Sequence, residues 1–346
     1  MELGIATFVD IAPGADPQRR MHEVMEQVRL ADELGLDLFA VGEHHRPDFL
    51  VSSPTVVLGA AAVLSERIRL SSASTVLATA DPVRVFQEFA EVDLLSGGRA
   101  EIMAGRGAGA FVEPFPLFGH DLHDQAELFA EKLDLLLRVR ASSHVTWSGR
   151  HRAALVDAGV WPRPVQDPLP VWVAVGGTPQ SAIRTGTLGL PMAVAIIGGE
   201  LARFVPLIEL YRKAVAHAGH DHSSARVAIN THTFVADTSQ RADAAFAATY
   251  MAEMSRIDGE FGRPPMQRRE YDALRSPRQA VAVGSPSEVA AKILYCHELF
   301  GHQRHIAQLA VALPHADAMR SIELFGTEVA PVVREEVVRR TGTVAE

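Results

Sequence analysis

Short apolar runs alternate with longer amphipathic stretches along most of the chain. The first run is Leu-Gly-Ile-Ala-Thr-Phe-Val at 3–9, and the second, at 37–42, holds Leu38-Phe39-Ala40-Val41-Gly42. Further runs occupy 68–77, 99–104, 170–175, 191–197, 226–236 and 304–313. They are rich in β-branched and aromatic residues, so they read as buried strands. The intervening stretches predict helices at about 17–35, 54–65, 82–96, 124–140, from Pro179, and at 200–217, 239–258, 286–300 and 315–340. Pro17, Pro82 and Pro179 suit the first helical position. Asp81 and Thr178 suit N-caps, and Gly35 and Gly97 suit helix ends. Strand–helix alternation with short links favours parallel strands joined by right-handed crossovers. Eight such units make an α/β chain of the (β/α)8 TIM-barrel class. A doubly wound open sheet fits less well, because no Gly-x-Gly-x-x-Gly follows the first strand. The expectation is one barrel domain over 1–346, with insertions at its C-terminal face at about 106–123, 141–168 and 259–285.

Composition adds bounds. The chain has 346 residues, of which 47% are hydrophobic and 22% charged, so it can bury a large core. Its formal net charge is −9 and no Lys/Arg-rich run occurs, which argues against nucleic acid or an anionic membrane as partner. The single cysteine, Cys296, rules out an intrachain disulfide and fits a reducing compartment. No basic leader and no apolar stretch of about 20 residues is evident, so a cytoplasmic protein is expected.

In a TIM barrel the active site lies at the C-terminal ends of the strands. Strand two ends in Glu43-His44-His45, three ionisable side chains in a row. Adjacent histidines on an extended strand point to opposite faces, which argues against one shared metal ion, and no metal site is expected. His217, His220 and His222 fall at a helix end and in the loop after it, on the opposite face, and read as solvated. Gly176-Gly177-Thr178-Pro179 carries a clearer mechanism. Two glycines let backbone approach a ligand, and the exposed N–H groups and dipole of the following helix favour a phosphate. Ser181 in its first turn adds a hydroxyl, and Arg106, between Gly105 and Gly107, adds a cation. A phosphorylated cofactor or substrate is implied. Arg263, Arg268 and Arg269 in the 259–285 segment read as solvated charges, or as attractants for an anionic substrate if that segment is a lid. Trp147 and Trp161 either cover the site or pack their insertion onto the barrel.

Several motifs together resemble the bacterial luciferase-like flavin monooxygenases. They are Val-Gly-Glu-His-His at 41–45, Ala-Ser-Thr-Val-Leu-Ala-Thr-Ala-Asp-Pro-Val-Arg at 73–84, Leu-Leu-Ser-Gly-Gly-Arg at 94–99 and Gly-Arg-Gly at 105–107. Phe-Pro-Leu-Phe-Gly at 115–119, Val-Gly-Gly-Thr-Pro at 175–179, Leu-Gly-Leu-Pro-Met at 188–192 and Gly-His-Asp at 219–221 continue the match in the family's order. The resemblance implies an oxidoreductase using FMN, bound in its reduced form, together with O₂ and a small organic substrate. Reduced flavin would come from a separate reductase. It further implies that Arg106, Gly176, Gly177, Thr178 and Ser181 hold the FMN phosphate. Ala73, Ser74 and Thr75 would lie under the flavin ring, with a cis peptide at Ala73–Ser74, and Ile196 would border the cofactor. His44 matches the family's catalytic histidine. A homodimer is typical of such relatives. Two other activities stay open: a reductase or dehydrogenase moving hydride with FMN or F420, and a non-catalytic flavin-binding subunit.

Overall fold

The computed structural model describes residues 1–107 and 111–342. Residues 108–110 of the expected 106–123 insertion, and 343–346, lie outside the described residues. Eight parallel strands close into a TIM barrel: β1 Glu2–Thr7, β2 Leu38–Val41, β3 Arg69–Ser72, β4 Ala100–Gly105, β5 Val171–Val175, β6 Met192–Ala195, β7 Val227–Val235 and β8 Arg304–Leu309. Each pairs with the next in chain order, and β8 returns to β1 with Arg304 opposite Glu2. The apolar run at 68–77 is not one strand. β3 stops at Ser72, the Ala73–Ser74 peptide is cis, and Thr75–Val76 then resumes pairing with β4.

One ion pair fixes which side chains face the barrel interior. Arg304 on β8 meets Glu101 on β4 at 2.6 Å and Glu2 on β1 at 2.6 Å, with its guanidinium 4.4 Å from the Trp172 ring centroid on β5. Since β4 and β8 are not neighbours, this pair crosses the interior. Arg69 also reaches Glu101. Two arginines therefore match the buried carboxylate, as a buried charge requires. Ala6, Leu38, Ala40, Met103, Ala193, Ala228 and Ile306 complete the packed interior.

Capping chemistry marks the helix starts. Asp81 accepts from the N–H groups of Val83 and Arg84, with Pro82 following. Ser285 and Glu288 form a capping box before Pro286–Phe300.

Two insertions differ from expectation. Segment 141–168 does contain a hairpin, His144–Trp147 with Leu155–Gly159. It follows helix Gln125–Ala141 and folds back along its outside, where Trp147 Nε1 donates to Asp134 at 2.8 Å and Arg150 pairs with Glu127 at 3.0 Å. It therefore packs on the helical shell and does not cover the mouth. Helix Ser239–Glu260, expected as an ordinary crossover, belongs instead to the mouth. Its Arg256 pairs with Asp48 and its Glu260 with Arg46, both on the loop after β2. The crossover to β8 is made by Pro286–Phe300. An apolar cluster including Phe234, Phe246, Tyr250, Tyr271 and Val283 holds the insertion against the end of β7. The mouth insertion thus begins at 239, about twenty residues before the apolar and polar pattern suggested. The final helical stretch is interrupted by a π-turn at Phe325–Val329.

Candidate active site

The chain leaves β2 after Val41, so Glu43-His44-His45 lies in the loop beyond the strand end. The three side chains part there. Glu43 accepts from the Val76 N–H at 2.8 Å and meets His45 Nε2 at 3.0 Å, tying the loop to the segment after the cis peptide. His45 packs edge-on against Phe118. His44 turns into an aromatic box. Its ring stacks on Phe49 at 4.3 Å and meets Phe8 at 4.4 Å and Phe111 at 4.6 Å. Backbone pairing builds the box: His44 N–H donates to Val51 O, and Leu50 N–H donates to Val9 O, a residue with φ of +56°. His44 is 8% exposed, and burial pushes its pKa down to about 3. The imidazole is therefore neutral, and its Nδ1 is buried without a partner among the described residues. A neutral imidazole with a free ring nitrogen can give or take one hydrogen bond at the mouth.

A shelf of small residues runs beside this box. Ala73, Gly105, Gly176 and Ala195 succeed one another on adjacent strand ends from β3 to β6. Gly105 has a steric reason, since a Cβ there would lie 2.0 Å from Ser74 Oγ. Thr75 Oγ1, at the edge of the shelf, is buried and unpartnered among the described residues.

The 176–181 turn has the form of an anion cradle. A Cβ at Gly176 would meet nothing within 4 Å, and Gly177 has φ of +115°, a conformation essentially reserved for glycine. Helix Pro179–Thr187 starts there, with its first residues exposed. Thr178 Oγ1 donates to Ser181 Oγ at 2.7 Å, leaving the Ser181 hydroxyl proton free to donate outward. Arg106 makes no hydrogen bond or ion pair among the described residues. It lies close enough to Arg184 of this helix that burial first, and then the charge of Arg106, hold the Arg184 guanidinium below its usual range. Arg184 itself sits in the last turn of this helix, with its guanidinium 5.9 Å from the Phe129 ring centroid. The unpartnered Arg106, the open space above Gly176 and the bare helix start fit a phosphate group. The shelf above Ala73 and Gly105 fits a flat ring. Ile196 is different: its side chain is fully buried in the core, while its neighbours Ala195 and Ile197 are exposed.

The opposite wall went unread in the sequence. Strand alternation carries the inward parity of Ala228 and Ile306 to Asn230, His232 and Gln308, nearer the mouth. The signal was present as polar residues at alternate positions in otherwise apolar strands. Three of the other candidate charges have partners. Arg268 pairs with Asp243 and Asp272, Arg263 pairs with Asp258, and His220 Nε2 meets the Thr187 carbonyl at 2.9 Å. Among the described residues no group of three or more His, Cys, Asp or Glu is placed to hold a metal ion. No helix among them is long and apolar enough to cross a membrane.

Fold and site together define a TIM-barrel protein whose mouth carries an open glycine turn at a helix start, a row of small residues and a neutral histidine. The family model of luciferase-like monooxygenases matches residues 1–303, and the chain belongs to that family. It is 27% identical over 331 residues to 4-hydroxyprotoasukamycin monooxygenase of Streptomyces nodosus subsp. asukaensis, covering 92% of this chain and 88% of that protein. Its fold is that of monooxygenase RslO1 from Streptomyces bottropensis (TM-score 0.82, 24% identity, 96% and 99% of the two chains). It is also that of the oxygenating constituent of 3,6-diketocamphane monooxygenase of Pseudomonas putida, solved with FMN (TM-score 0.78, 20% identity, 96% and 98%). An F420-dependent secondary alcohol dehydrogenase shares it too (TM-score 0.76, 17% identity, 96% and 99%).

Proposed function

We propose that this chain acts as a single barrel domain that binds reduced FMN, supplied by a separate reductase, and uses it with O₂ to oxygenate a small organic substrate. The observation that carries the reading is the unpartnered Arg106 beside the Gly176-Gly177-Thr178 turn, next to a shelf of Ala73 and Gly105. Arg106, the backbone N–H groups after Gly177 and the Ser181 hydroxyl would hold the phosphate. Ala73, Ser74 and Thr75 would underlie the ring. FMN supplies the redox chemistry when bound. The protein's own part is to bind, orient and exclude water. Phe8, Phe49 and Phe111 keep solvent from His44, whose neutral imidazole offers one hydrogen bond to a reacting oxygen. The ion-pair lattice of Arg46, Asp48, Glu113, Arg256 and Glu260 ties three mouth segments into one cover.

The 3,6-diketocamphane relative solved with FMN supports this cofactor, and the F420-dependent dehydrogenase of the same fold supports hydride transfer with F420 as the second reading. The test titrates the purified protein with FMN, riboflavin and F420, then mixes protein with reduced FMN and O₂ in stopped flow. Preferred binding of FMN and an altered course of flavin reoxidation are expected. Preference for F420, or reoxidation identical with and without protein, would overturn the monooxygenase reading.

A further inference from the structure

The β7–β8 wall of the mouth faces the small-residue shelf and is built of neutral polar side chains. Asn230 Oδ1 is buried and has no hydrogen-bond partner among the described residues. His232 faces the same way, and its Nδ1 meets Tyr250 OH at 3.0 Å. Tyr250 is itself stacked on Phe246, with ring centroids 5.1 Å apart, so this imidazole is held in place. Gln308 sits beside His232 in the β7–β8 register. Its amide makes no hydrogen bond among the described residues. A buried acceptor without a donor is costly, and polar groups of this kind in native folds usually await a partner.

The charged groups of the cover do not supply one. Arg46, Asp48, Glu113, Arg256 and Glu260 are engaged with one another in the cover. Arg106 lies across the mouth on the cradle side. A carboxylate or phosphate oxygen would meet the Asn230 oxygen acceptor to acceptor, with no proton between them. A neutral hydroxyl or N–H would satisfy it.

We infer that Asn230, flanked by Gln308, orients the substrate: it accepts a hydrogen bond from a neutral hydroxyl- or N–H-bearing organic molecule lying between this wall and the shelf. The inference rests on the mouth being the substrate site proposed above, but not on which flavin occupies it. Substrate class then follows from side-chain chemistry, because a site built to pair a donor discriminates strongly against an analogue lacking it.

Phenol and anisole make the test, since they share a ring and differ in the donor. Their binding to the full-length protein is measured by ligand-observed NMR for wild type, Asn230→Ala and Gln308→Ala, with FMN affinity measured in parallel by fluorescence quenching. Wild type should prefer phenol roughly fivefold to tenfold, the size of one hydrogen bond. Asn230→Ala should erase the preference while leaving FMN affinity unchanged. Asn230→Leu, close in volume, is the second variant if circular dichroism shows that the alanine protein fails to fold. Equal affinity of wild type for the two probes, a preference that survives both Asn230 variants, or no binding of either probe would overturn the inference. Loss of FMN binding in wild type would sink the cofactor reading while leaving the phenol preference readable.

Discussion

Replacing Arg106 with alanine should produce two effects of opposite kind. In the ligand-free protein Arg106 has no hydrogen bond or ion pair among the described residues, and its charge disfavours the charge on Arg184. Removing it relieves a like-charge contact that solvent and salt screen. The unliganded protein should therefore unfold at the same temperature or gain a few tenths of a kcal/mol, on the scale of about 0–0.5 kcal/mol for such pairs. Binding of a phosphate should move the other way. Loss of one charge-assisted hydrogen bond costs about 1.5–3 kcal/mol. That is roughly a 10- to 150-fold rise in the FMN Kd. Riboflavin has the same ring and no phosphate, so its affinity should not change. The assay is a fluorescence-quenching titration with both flavins, paired with thermal unfolding. At about 100 times Kd, FMN should stabilise wild type by about 2.7 kcal/mol, and the variant at the same concentration should lose about half to nine-tenths of that. Three results would refute the reasoning: an unchanged FMN Kd, equal losses for FMN and riboflavin, or a clear drop in the unfolding temperature of the ligand-free variant. The last would make Arg106 part of the scaffold.

Three further expectations follow from the geometry. His44→Ala should leave the FMN Kd within about twofold but lower turnover by about 10² or more, the scale for one lost hydrogen bond to a reacting oxygen; unimpaired turnover would remove His44 from the chemistry. Gly105→Ala places a Cβ 2.0 Å from Ser74 Oγ and 3.4 Å from the Thr75 carbonyl, so Ser74 must shift. A loss of about 1–3 kcal/mol in urea unfolding is expected, and an unchanged midpoint would show that the shelf is loosely packed. Stability should also fall in mild acid. Burial pushes His44 to about 3, His232 to about 4 and His305 to about 3, so the unfolded chain, near 6.5, takes these protons first. Their contribution is lost as pH drops below 6.5. Asp10 is pushed up to about 7 by burial, so the folded state takes its proton first and gains in the same window. From pH 6.5 toward pH 5 the buried histidines together outweigh Asp10, so the net effect is a loss of stability on the order of a few kcal/mol. Urea midpoints that stay level or rise toward pH 5 would contradict these assignments.

The barrel was legible because buried strands carry a dense apolar signal and most crossover helices begin at a proline or a capping side chain. The Gly176-Gly177-Thr178 turn was legible for a similar local reason: glycine is required where φ is positive, and that need shows in the sequence. The helix at 239–260 was not, because an amphipathic stretch looks the same whether its apolar face meets the shell of a barrel or its mouth. Only the pairing of Arg256 and Glu260 with the loop after β2 decides between the two.

Asn230 shows the deeper limit. In Val-Ala-Ile-Asn-Thr-His-Thr-Phe-Val, four polar residues stand in a row at 230–233, so both faces of β7 carry hydrogen-bonding groups. Period-two alternation sorts them into two sets but does not say which set faces inward, and a shift of one residue would exchange them. The deciding fact lies on another strand. Arg304 crosses the interior to Glu101, and register then places Ala228, Asn230 and His232 inside. Thr231 falls on the outer side, where its hydroxyl meets His305 Nε2 at 3.1 Å within the packed shell. Thr231 is therefore satisfied by the fold, whereas Asn230, one residue earlier, is not. That difference makes Asn230 a residue whose partner is to be sought in a ligand, and it depends on an ion pair between residues two hundred positions apart.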